Sequence, residues 1–519
     1  MNGKTSGGRG PRRAGALAVM AAVTLLTTGC IVHVRFGSSA APTAQPPYQA
    51  ELAYAQCMRT HGLPGFPDPS PSRSFSGQPT GNPDSPAARA NDACKHLLPG
   101  GTAASGAAAS ATAGPSGGAV AADCLASQSP CYTPQQLRVA YGIQPLLDRG
   151  ITGRGQTVVL LEFPPPAAAG AQVPPAVSDI RQDLARFDSV FGLPAARLQV
   201  VNTLTHAASP WLGSTEEVAD TETVHAIAPG AAIREVLIPS AYTVSLGTVN
   251  AAAVAALRLG LTQGSVISFS GGAGEQCFTT AEVAQWTSAL QAAQRDRVTV
   301  AVSASDFGAA STACPPGTGS TEVKGVDLPA SDPLALAVGG TSLRASRATG
   351  AYLGETAWNT PASAGGPRAG GGGFSRLFPR PAYQDGIVGT GATRGVPDVA
   401  ADADPGTGMA LAFTRGGHNY LIAGGGDSVA TPLWAAVVAL AGQYAGRQLG
   451  FVDPALYGIG AGASARQAFH DVTTGSNNVT FGTRMIAGYQ AAPGWDPVTG
   501  WGSPDAQVLV PLLARDASP

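Results

Sequence analysis

The pattern of apolar and polar positions changes at about residue 121. From there on, short apolar runs recur, each bounded by glycine, proline or polar residues. Continuous apolar runs of this length predict strands buried on both faces, because a half-exposed strand would alternate apolar and polar positions. The runs are QTVVLLE at 156–162, SVISFS at 265–270, VTVAVSAS at 298–305 and ALAVGG at 335–340.

Helical segments separate these strands. The stretch 281–295, AEVAQWTSALQAAQR, is one example. Strands that alternate with helices predict an α/β fold in which helices cover both faces of a parallel sheet. The carboxyl ends of such strands meet at one edge of the sheet, where we expect the functional residues.

The first thirty residues predict export. Basic residues precede an apolar run, AGALAVMAAVTLLTTG, that is short for a membrane span. The run ends at Cys30 in LLTTGC, which resembles the lipobox of bacterial lipoproteins. We predict either a cell-surface protein lipidated at Cys30, whose contact with the membrane is through that anchor only, or a secreted protein.

Composition divides the chain into five parts. Residues 1–30 are the signal, 31–47 a Pro/Ala-rich tether, and 48–98 a small helical module. Residues 99–120 form a flexible Ala/Gly/Ser linker, and 121–519 form the large domain. The 519 residues carry a formal net charge of -2, which gives no support for nucleic-acid binding.

Seven cysteines fit an oxidising compartment. Setting Cys30 aside as the lipid-bearing residue leaves an even number. Proximity along the chain then suggests three disulfides, Cys57–Cys94, Cys124–Cys131 and Cys277–Cys314.

Ser428 lies where a polar glycine run enters an apolar helix, in GGGDSVATPLWAAVVAL. It could be the N-cap that closes this helix. It could also be a nucleophile at the positive end of the helix, with glycines that let a substrate backbone approach. This stretch alone leaves both interpretations open.

Three carboxyls are candidates for acid–base chemistry. Glu216 and Asp220 lie four positions apart in STEEVADTETVHAIAPG, on one face of a predicted helix. Such a pair can share a proton and supply a general base for serine in acid, although an ordinary solvent-exposed acidic helix fits equally. Asp306, after the strand VTVAVSAS, is either a turn residue or a protonated carboxyl that stabilises an oxyanion.

From about Cys124 to the C-terminus, the chain resembles the sedolisin family of serine-carboxyl peptidases. The motifs occur in the family's order: CYTPQQLRVAYGI, EEVADTETVHAIAPGA, VISFSGG, VSASDFG, LPASDPLALAVGGT, GGGFSRLFPRPAYQ, RGVPDVAADADPGTG, GGGDSVATPLWAA, FHDVTTGSN and GWDPVTGWGSP. The resemblance implies a subtilisin-like, doubly wound parallel sheet in a monomer. It also implies that the chain hydrolyses proteins or peptides in acid through an acyl-enzyme.

The resemblance implies roles by position. Ser428 corresponds to the nucleophile, Glu216 to the general base and acid, and Asp220 to the carboxylate that orients Glu216. Asp306 corresponds to the oxyanion partner, and Glu162 extends the hydrogen-bond network. The stretch that corresponds to the substrate-binding site is Ser270, Gly271 and Gly272.

The resemblance also implies one structural calcium ion. Two carboxylates and several backbone carbonyls suit this hard cation. Without the family, two aspartates in glycine-rich loops would more often form turns. The implied ligands are Asp471, the carbonyls of Val472, Ala492 and Gly494, and Asp496.

Three features depart from the family pattern. Asp427 precedes the nucleophile where the family usually has threonine, which predicts a shifted pH profile. Gly271 stands where many members have tryptophan, which predicts a more open substrate wall. Residues 31–120 hold only the small module and linker where a long propeptide is expected.

These departures support an alternative, an inactive peptidase-fold protein that binds peptide or has a structural role at the cell surface. A conventional Ser-His-Asp hydrolase is a third interpretation. It would require a histidine coupled to Ser428.

Overall fold

The computed structural model divides the chain into two compact units, one of Met1–His33 with Gly118–Pro519 and one of Val34–Gly117. In the second unit, Met58, Arg59 and Cys94 are helical, and Cys94 is disulfide-bonded. The predicted signal, tether and linker, with Cys30 and Cys57, lie outside the described residues apart from Val120. The described residues are 58–59, 94, 120–125, 131–163, 179–204, 214–239, 245–262, 264–311, 314, 322–361, 367–387, 389 and 391–517.

An eight-stranded sheet forms the centre of the large unit. Its strands are β1 (Thr157–Glu162), β2 (Arg197–Asn202), β3 (Ala232–Leu237), β4 (Val266–Phe269), β5 (Thr299–Ser303), β6 (Leu336–Ala345), β7 (Tyr352–Ala357) and β8 (Val399–Asp402). Their order in the sheet is β7-β6-β5-β4-β1-β3-β2, and β8 pairs with β6.

Neighbouring strands of this sheet are parallel except for the antiparallel pair β6–β7. In the register, Leu160 pairs with Glu235 on one side and with Ser268 on the other. Parallel pairing brings the ends of β1, β4 and β5 to one edge, as the apolar runs predict. This edge carries Glu162, Ser270 and Asp306.

Helices cover both faces of the sheet, which confirms the predicted α/β class. The helices are α1 (Pro134–Ala140), α2 (Gln144–Asp148), α3 (Ile180–Phe191), α4 (Thr215–Ile227), α5 (Leu246–Leu261), α6 (Thr280–Arg295), α7 (Asp427–Ala445), α8 (Asp453–Gly460), α9 (Ala465–Ala468) and α10 (Ala506–Asp516).

Alternate side chains of β1 feed two cores. Val158 and Leu160 join the core that contains α4, α7 and α10. Val159 and Leu161 join the core on the other face, with α5 and α6. A strand buried on both faces needs apolar residues at every position, which explains the continuous run.

Helix α7 lies in the first core, and every residue from Asp427 to Gly442 is buried. Among the described residues, it alone has the length and hydropathy of a membrane span, but most of it is buried inside the protein. The core of a large α/β domain accounts for this apolar composition.

Short strands and 3₁₀ helices lie around the central sheet in the described part of the chain. Disulfides join Cys124 to Cys131 and Cys277 to Cys314. The 3₁₀ helices are Glu275–Cys277 and Ala382–Gln384. The short strands are Val120–Asp123, Ala273–Gly274, Ala310–Ser311, Val323–Lys324, Asp327–Leu328, Asn359–Thr360, Arg368–Ala369, Gly373–Pro379, Thr393–Val396, Ala410–Arg415, His418–Ala423, Phe469–His470, Val479–Phe481, Arg484–Ile486 and Ser503–Pro504.

Candidate active site

A capping box positions the first turn of α4. The Glu217 backbone N–H donates to Ser214 Oγ at 3.2 Å, and the Ser214 N–H donates back to the Glu217 carboxylate. This reciprocal pair fixes where the helix begins. It therefore also fixes the position of Glu216, which precedes Glu217 in the same turn.

Helix α4 is buried along its whole length. Glu216 is 5% exposed and Asp220 is 1% exposed. The interpretation of this segment as a solvent-exposed acidic helix is therefore wrong. The sequence cannot distinguish the two because acidic residues are typical of exposed helices, whereas here α4 packs against α7 and the sheet.

Ser270 links the carboxyl pair to the segment that carries Ser428. Its hydroxyl donates to Asp220 Oδ2 at 2.8 Å and lies 3.4 Å from the carbonyl oxygen of Ser428. Ser270 follows β4 directly, so the sheet edge places this hydroxyl against α4 and α7. Its side chain thus points toward the carboxyls within the predicted site.

Glu162, the last residue of β1, extends the pair. It shares a hydrogen bond with Asp220. Burial, followed by the charge of Asp220, raises the pKa of Glu162 well above its usual value. Burial and the charge of Glu216 likewise raise the pKa of Asp220, although hydrogen bonds from Ser270 and Glu162 oppose the shift.

Glu217 and Glu235 complete a buried set of five acids, which we call the carboxyl cluster: Glu162, Glu216, Glu217, Asp220 and Glu235. Burial, followed by the charge of Glu235, raises the pKa of Glu217. Burial raises the pKa of Glu235 to about 7, against a 2.6 Å hydrogen bond from Thr221 Oγ1. The motifs in the sequence predict no role for Glu235, although an acid inside the apolar strand AAIREVL is a signal of a buried polar site.

We expect Glu235→Gln to reduce the pH dependence of folding stability. The Glu235 pKa rises from its usual 4.5 to about 7, so the folded chain favours the protonated acid. The stability gained from this proton is complete below pH 4.5 and is lost as the pH rises to about 7. The loss is roughly 3 kcal/mol for such a shift.

Urea unfolding at both ends of this pH range measures the effect. Asp385→Asn serves as a control on a side chain that is 62% exposed, and it should retain the wild-type pH dependence. An unchanged pH dependence in Glu235→Gln would contradict the prediction.

Ser428 is the second residue of α7. The N-cap is Gly426, at φ 92°, and it makes no side-chain capping bond. The N-cap interpretation of Ser428 is therefore wrong, because the N-cap position is two residues earlier, at Gly426. The positive φ at Gly426 is a conformation that few other residues adopt.

Asp306 contacts the same end of α7. The Asp427 backbone N–H donates to Asp306 Oδ1 at 2.7 Å. Ser305, directly before Asp306, has φ 103°, a strained conformation of the kind found at functional sites. Asp306 therefore anchors the first turn of α7, which is a more specific position than that of a surface turn residue.

The stretch Ser270–Gly272 runs beside the antiparallel pair of Ala273–Gly274 and Asp327–Leu328. A Cβ at Gly271 would lie 2.8 Å from the Phe269 ring and 3.0 Å from the Phe163 ring. Two aromatic rings therefore fill the space that a side chain at Gly271 would enter, and the more open substrate wall stays a prediction. A Cβ at Gly272 would lie 2.9 Å from the Leu328 carbonyl oxygen, so glycine permits this close approach.

Three histidines lie in the described part of the chain, and their contacts are with residues other than Ser428. His225 Nε2 lies 2.8 Å from the Pro194 carbonyl and 3.0 Å from Asp188 Oδ1. His470 stacks on Tyr352, and His418 is exposed. Within the described part of the chain, the Ser-His-Asp interpretation gains no support.

Comparisons with known proteins identify the family. No family model matches the sequence. Over 403 residues the chain is 33% identical to kumamolisin of Bacillus sp. (strain MN-32). The matched region covers 75% of this chain and 64% of that protein. The structure of Pseudomonas sedolisin, a serine-carboxyl proteinase complexed with two molecules of pseudo-iodotyrostatin, matches with a TM-score of 0.60 and 26% identity. That match covers 77% of this chain and 100% of the sedolisin chain.

The chain is similar to peptidases of the sedolisin family over about three quarters of its length. It is also 34% identical over 164 residues to tripeptidyl-peptidase 1 of Homo sapiens, a match that covers 28% of this chain and 27% of that protein. It spans 64% of the length of kumamolisin. The resemblance to this family, predicted from the ordered motifs, is thus confirmed.

The residues implied as calcium ligands lie in one constellation of loops. Asp471 Oδ2 accepts the Gly494 N–H at 2.9 Å, and Asp496 Oδ2 accepts the Ala492 N–H at 3.0 Å. Thr499 Oγ1 lies 3.4 Å from the Val472 carbonyl and 3.2 Å from Asp496 Oδ2. Burial raises the pKa of Asp496 to about 6.

The atoms implied as metal ligands are all oxygens, which calcium prefers. Within the described residues, no three His, Cys, Asp or Glu side chains converge as a metal site. A set of two carboxylates completed by carbonyls does not need a third such side chain. The loop residues therefore fit a calcium ion.

Proposed function

We propose that this chain is a serine-carboxyl peptidase that hydrolyses proteins or peptides in acid. The observation that carries the proposal is the contact of Ser270 Oγ with both Asp220 and the backbone of Ser428. It joins a buried carboxyl pair to a serine at a helix N-terminus. Similarity to kumamolisin and to Pseudomonas sedolisin, a serine-carboxyl proteinase, supports the same chemistry.

In this proposal, Ser428 is the nucleophile and Glu216 the general base. As Ser428 Oγ bonds to the carbonyl carbon of the substrate, its proton passes to Glu216. Glu216 then returns that proton to the leaving amine as the peptide bond breaks. Water, activated by Glu216, releases the acyl group in the second half of the reaction.

Asp220 orients Glu216. Hydrogen bonds with Ser270 and Glu162, and the buried packing of α4, hold Asp220 in position. A neighbouring acid on the same helix face also makes full ionisation of the pair costly, so the two share protons. Burial extends this argument to the whole carboxyl cluster, which favours protonated forms and hence acidic conditions.

Asp306 stabilises the oxyanion in this proposal. The first-turn N–H groups of α7 have no acceptor within the helix, and they provide a positive end there. A protonated Asp306 donates a hydrogen bond to the negative oxygen of the tetrahedral intermediate. Its 2.7 Å contact with the Asp427 N–H supports this placement.

Gly271 and Gly272 bind the peptide backbone beside Ser270 in this proposal. One calcium ion, held by Asp471, Asp496 and the carbonyls of Val472, Ala492 and Gly494, would cross-link the loops that contain them. Bound calcium supplies charge neutralisation for the two carboxylates.

We also propose that the protein is exported and acts as a monomer, with residues 1–30 as its signal and Cys30 as its lipid anchor if it stays at the cell surface. The module at 48–98 precedes the peptidase domain at 121–519 through the linker at 99–120. The disulfides Cys124–Cys131 and Cys277–Cys314 support an oxidising location.

The test is digestion of a denatured protein mixture by the purified full chain, with calcium, from strongly acidic to neutral pH. We expect cleavage in acid that falls toward neutral pH, and mass spectrometry of the products reports the cleavage specificity. A folded, inert chain across this range would contradict the proposal. That result would favour the peptide-binding alternative instead.

A further inference from the structure

Arg368 is a buried cation that forms no ion pair within the described structure. We propose that Arg368 binds a carboxylate of the peptide substrate, which is either an acidic side chain or the free α-carboxylate at the C-terminus. Arg368 is then a specificity-determining residue. This inference rests on the proposed function and names the chemistry of the substrate that the same site prefers.

Backbone contacts place Arg368 beside the proposed oxyanion residue. Arg368 and Ala369 form a short strand that pairs with Asn359–Thr360. The Ala369 N–H donates to the Asp306 carbonyl oxygen at 2.9 Å, and Ala369 also forms a β-bridge with Phe307. The strand that contains Arg368 therefore lies directly along the segment that follows β5.

The side chain of Arg368 lies against the same segment. Its guanidinium carbon is 4.6 Å from the centroid of the Phe307 ring, and Phe307 follows Asp306 directly. The Phe307 ring in turn lies 6.5 Å from the ring of Phe481. A ring face attracts a cation, but it does not accept the N–H groups at the edge of the guanidinium as a carboxylate does.

The guanidinium has hydrogen-bonding capacity that the described residues do not use. Arg368 is 7% exposed. Nη1 donates to the Pro367 carbonyl at 3.1 Å, whereas Nε is buried and has no hydrogen-bond partner there. A charged donor that is buried without an acceptor costs free energy. A substrate carboxylate would remove this cost, because its two oxygens match the fork of N–H groups.

The peptidase domain offers Arg368 no acid of its own. Every aspartate and glutamate of residues 121–519 lies among the described residues, and none of them forms an ion pair with Arg368. The preceding residues 362–366 are ASAGG and contain no acid. Arg394 is a contrasting case, since its Nη1 and Nη2 each donate to Asp398 at 2.6 Å.

A peptide in the proposed site can bring a carboxylate to Arg368. Neighbouring strands lie about 4.8 Å apart, and an extended peptide advances about 3.3 Å per residue. Because the Arg368 strand adjoins Asp306, the carboxylate should lie within about three residues of the cleaved bond.

The pH dependence of this preference follows from the ligand. Arginine stays charged at every pH of interest, whereas a peptide carboxyl has a pKa of about 4. The preference for the acidic substrate should therefore be present above about pH 4 and should be lost below it, as the carboxylate takes up a proton.

The experiment compares kcat/KM of the full chain, with calcium, for matched peptides at about pH 5, where their carboxylates are ionised. One set carries Asp or Asn at each position near the cleaved bond, and the other has a free or an amidated C-terminus. We expect one position at which the carboxylate is preferred roughly ten- to hundred-fold, as for a charge-assisted hydrogen bond. The set that shows the preference identifies the source of the carboxylate. Equal kcat/KM within every pair overturns the inference.

Variants of Arg368 test whether this residue causes the preference. Arg368→Gln should bring the two kcat/KM values of the pair together, and Arg368→Lys, which keeps the charge without the fork, should retain part of the difference. A purely structural role would lower both values alike and leave their ratio unchanged, which would also refute the inference. Arg415→Gln is the matched control, since Arg415 lies over the Tyr420 ring at 5.8 Å. It should leave the ratio unchanged.

A binding measurement separates this inference from the proposed function. Calorimetry with the Ser428→Ala protein gives Kd for the same peptide pairs without turnover. We expect tighter binding of the carboxylate peptide, and loss of the difference when Arg368→Gln is added. Acid proteolysis with no difference in either measurement would refute the carboxylate site alone. A difference in Kd without proteolysis by the unmodified chain would refute the peptidase and keep the site.

Discussion

Ser428→Ala is expected to lower kcat by about ten-thousand-fold or more, because the residue that forms the acyl-enzyme is gone. The small alanine fits the first turn of α7, where Ser428 makes no capping bond, so folding should be retained. Acid digestion of a peptide substrate measures the loss. Thermal unfolding of the same sample checks the fold.

Ser342→Ala is the matched control for this substitution. Ser342, on β6, donates from Oγ to Asp404 Oδ2 at 2.6 Å, so this variant removes a half-buried serine hydroxyl that makes a hydrogen bond. It should retain activity within a few-fold. If Ser428→Ala kept comparable activity, Ser428 would not be the nucleophile.

Glu216→Gln is expected to lower kcat by about a thousand-fold, because an amide cannot accept the proton of the attacking hydroxyl. KM should change little, since Glu216 acts on the proton of Ser428 and not on the substrate backbone. Steady-state kinetics at acidic pH separates the two parameters.

Glu217→Gln provides a neighbouring control on the same turn. Glutamine serves as well as glutamate in a capping box, so the contacts with Ser214 should persist. This variant removes a buried acid from the carboxyl cluster while it leaves the proposed base in place. Equal losses in both variants would show that the cluster charge, and not Glu216 itself, governs the reaction.

For the carboxyl pair, the local sequence pattern is sufficient to predict that both acids lie on one face of a helix. Glu216 and Asp220 share a helix face because they are four positions apart, and this follows from helix geometry alone. Their burial does not follow, because it depends on α7, which begins more than two hundred positions later in the chain. The same local spacing fits an exposed helix in another fold.

Contacts between distant segments explain what the sequence pattern missed. Ser270 and Asp220 are 50 positions apart, and Asp427 and Asp306 are 121 apart. Glu235 belongs to the cluster because β3 pairs with β1 beneath α4. Strand order and register determine these contacts, and no short segment of the sequence contains that information.

The sequence by itself determined the parallel α/β class, through apolar runs that only a doubly covered sheet can bury, and the resemblance to the sedolisin family, through motifs in a fixed order. It also identified the acids and the serine at the strand ends and helix starts. Only the tertiary structure decided that α4 is buried, that Ser428 lies inside α7 and not at its cap, and that Asp427 faces Asp306. The reason is physical: periodicity reports which face of an element is apolar, whereas the partner of a polar side chain depends on how distant elements pack together.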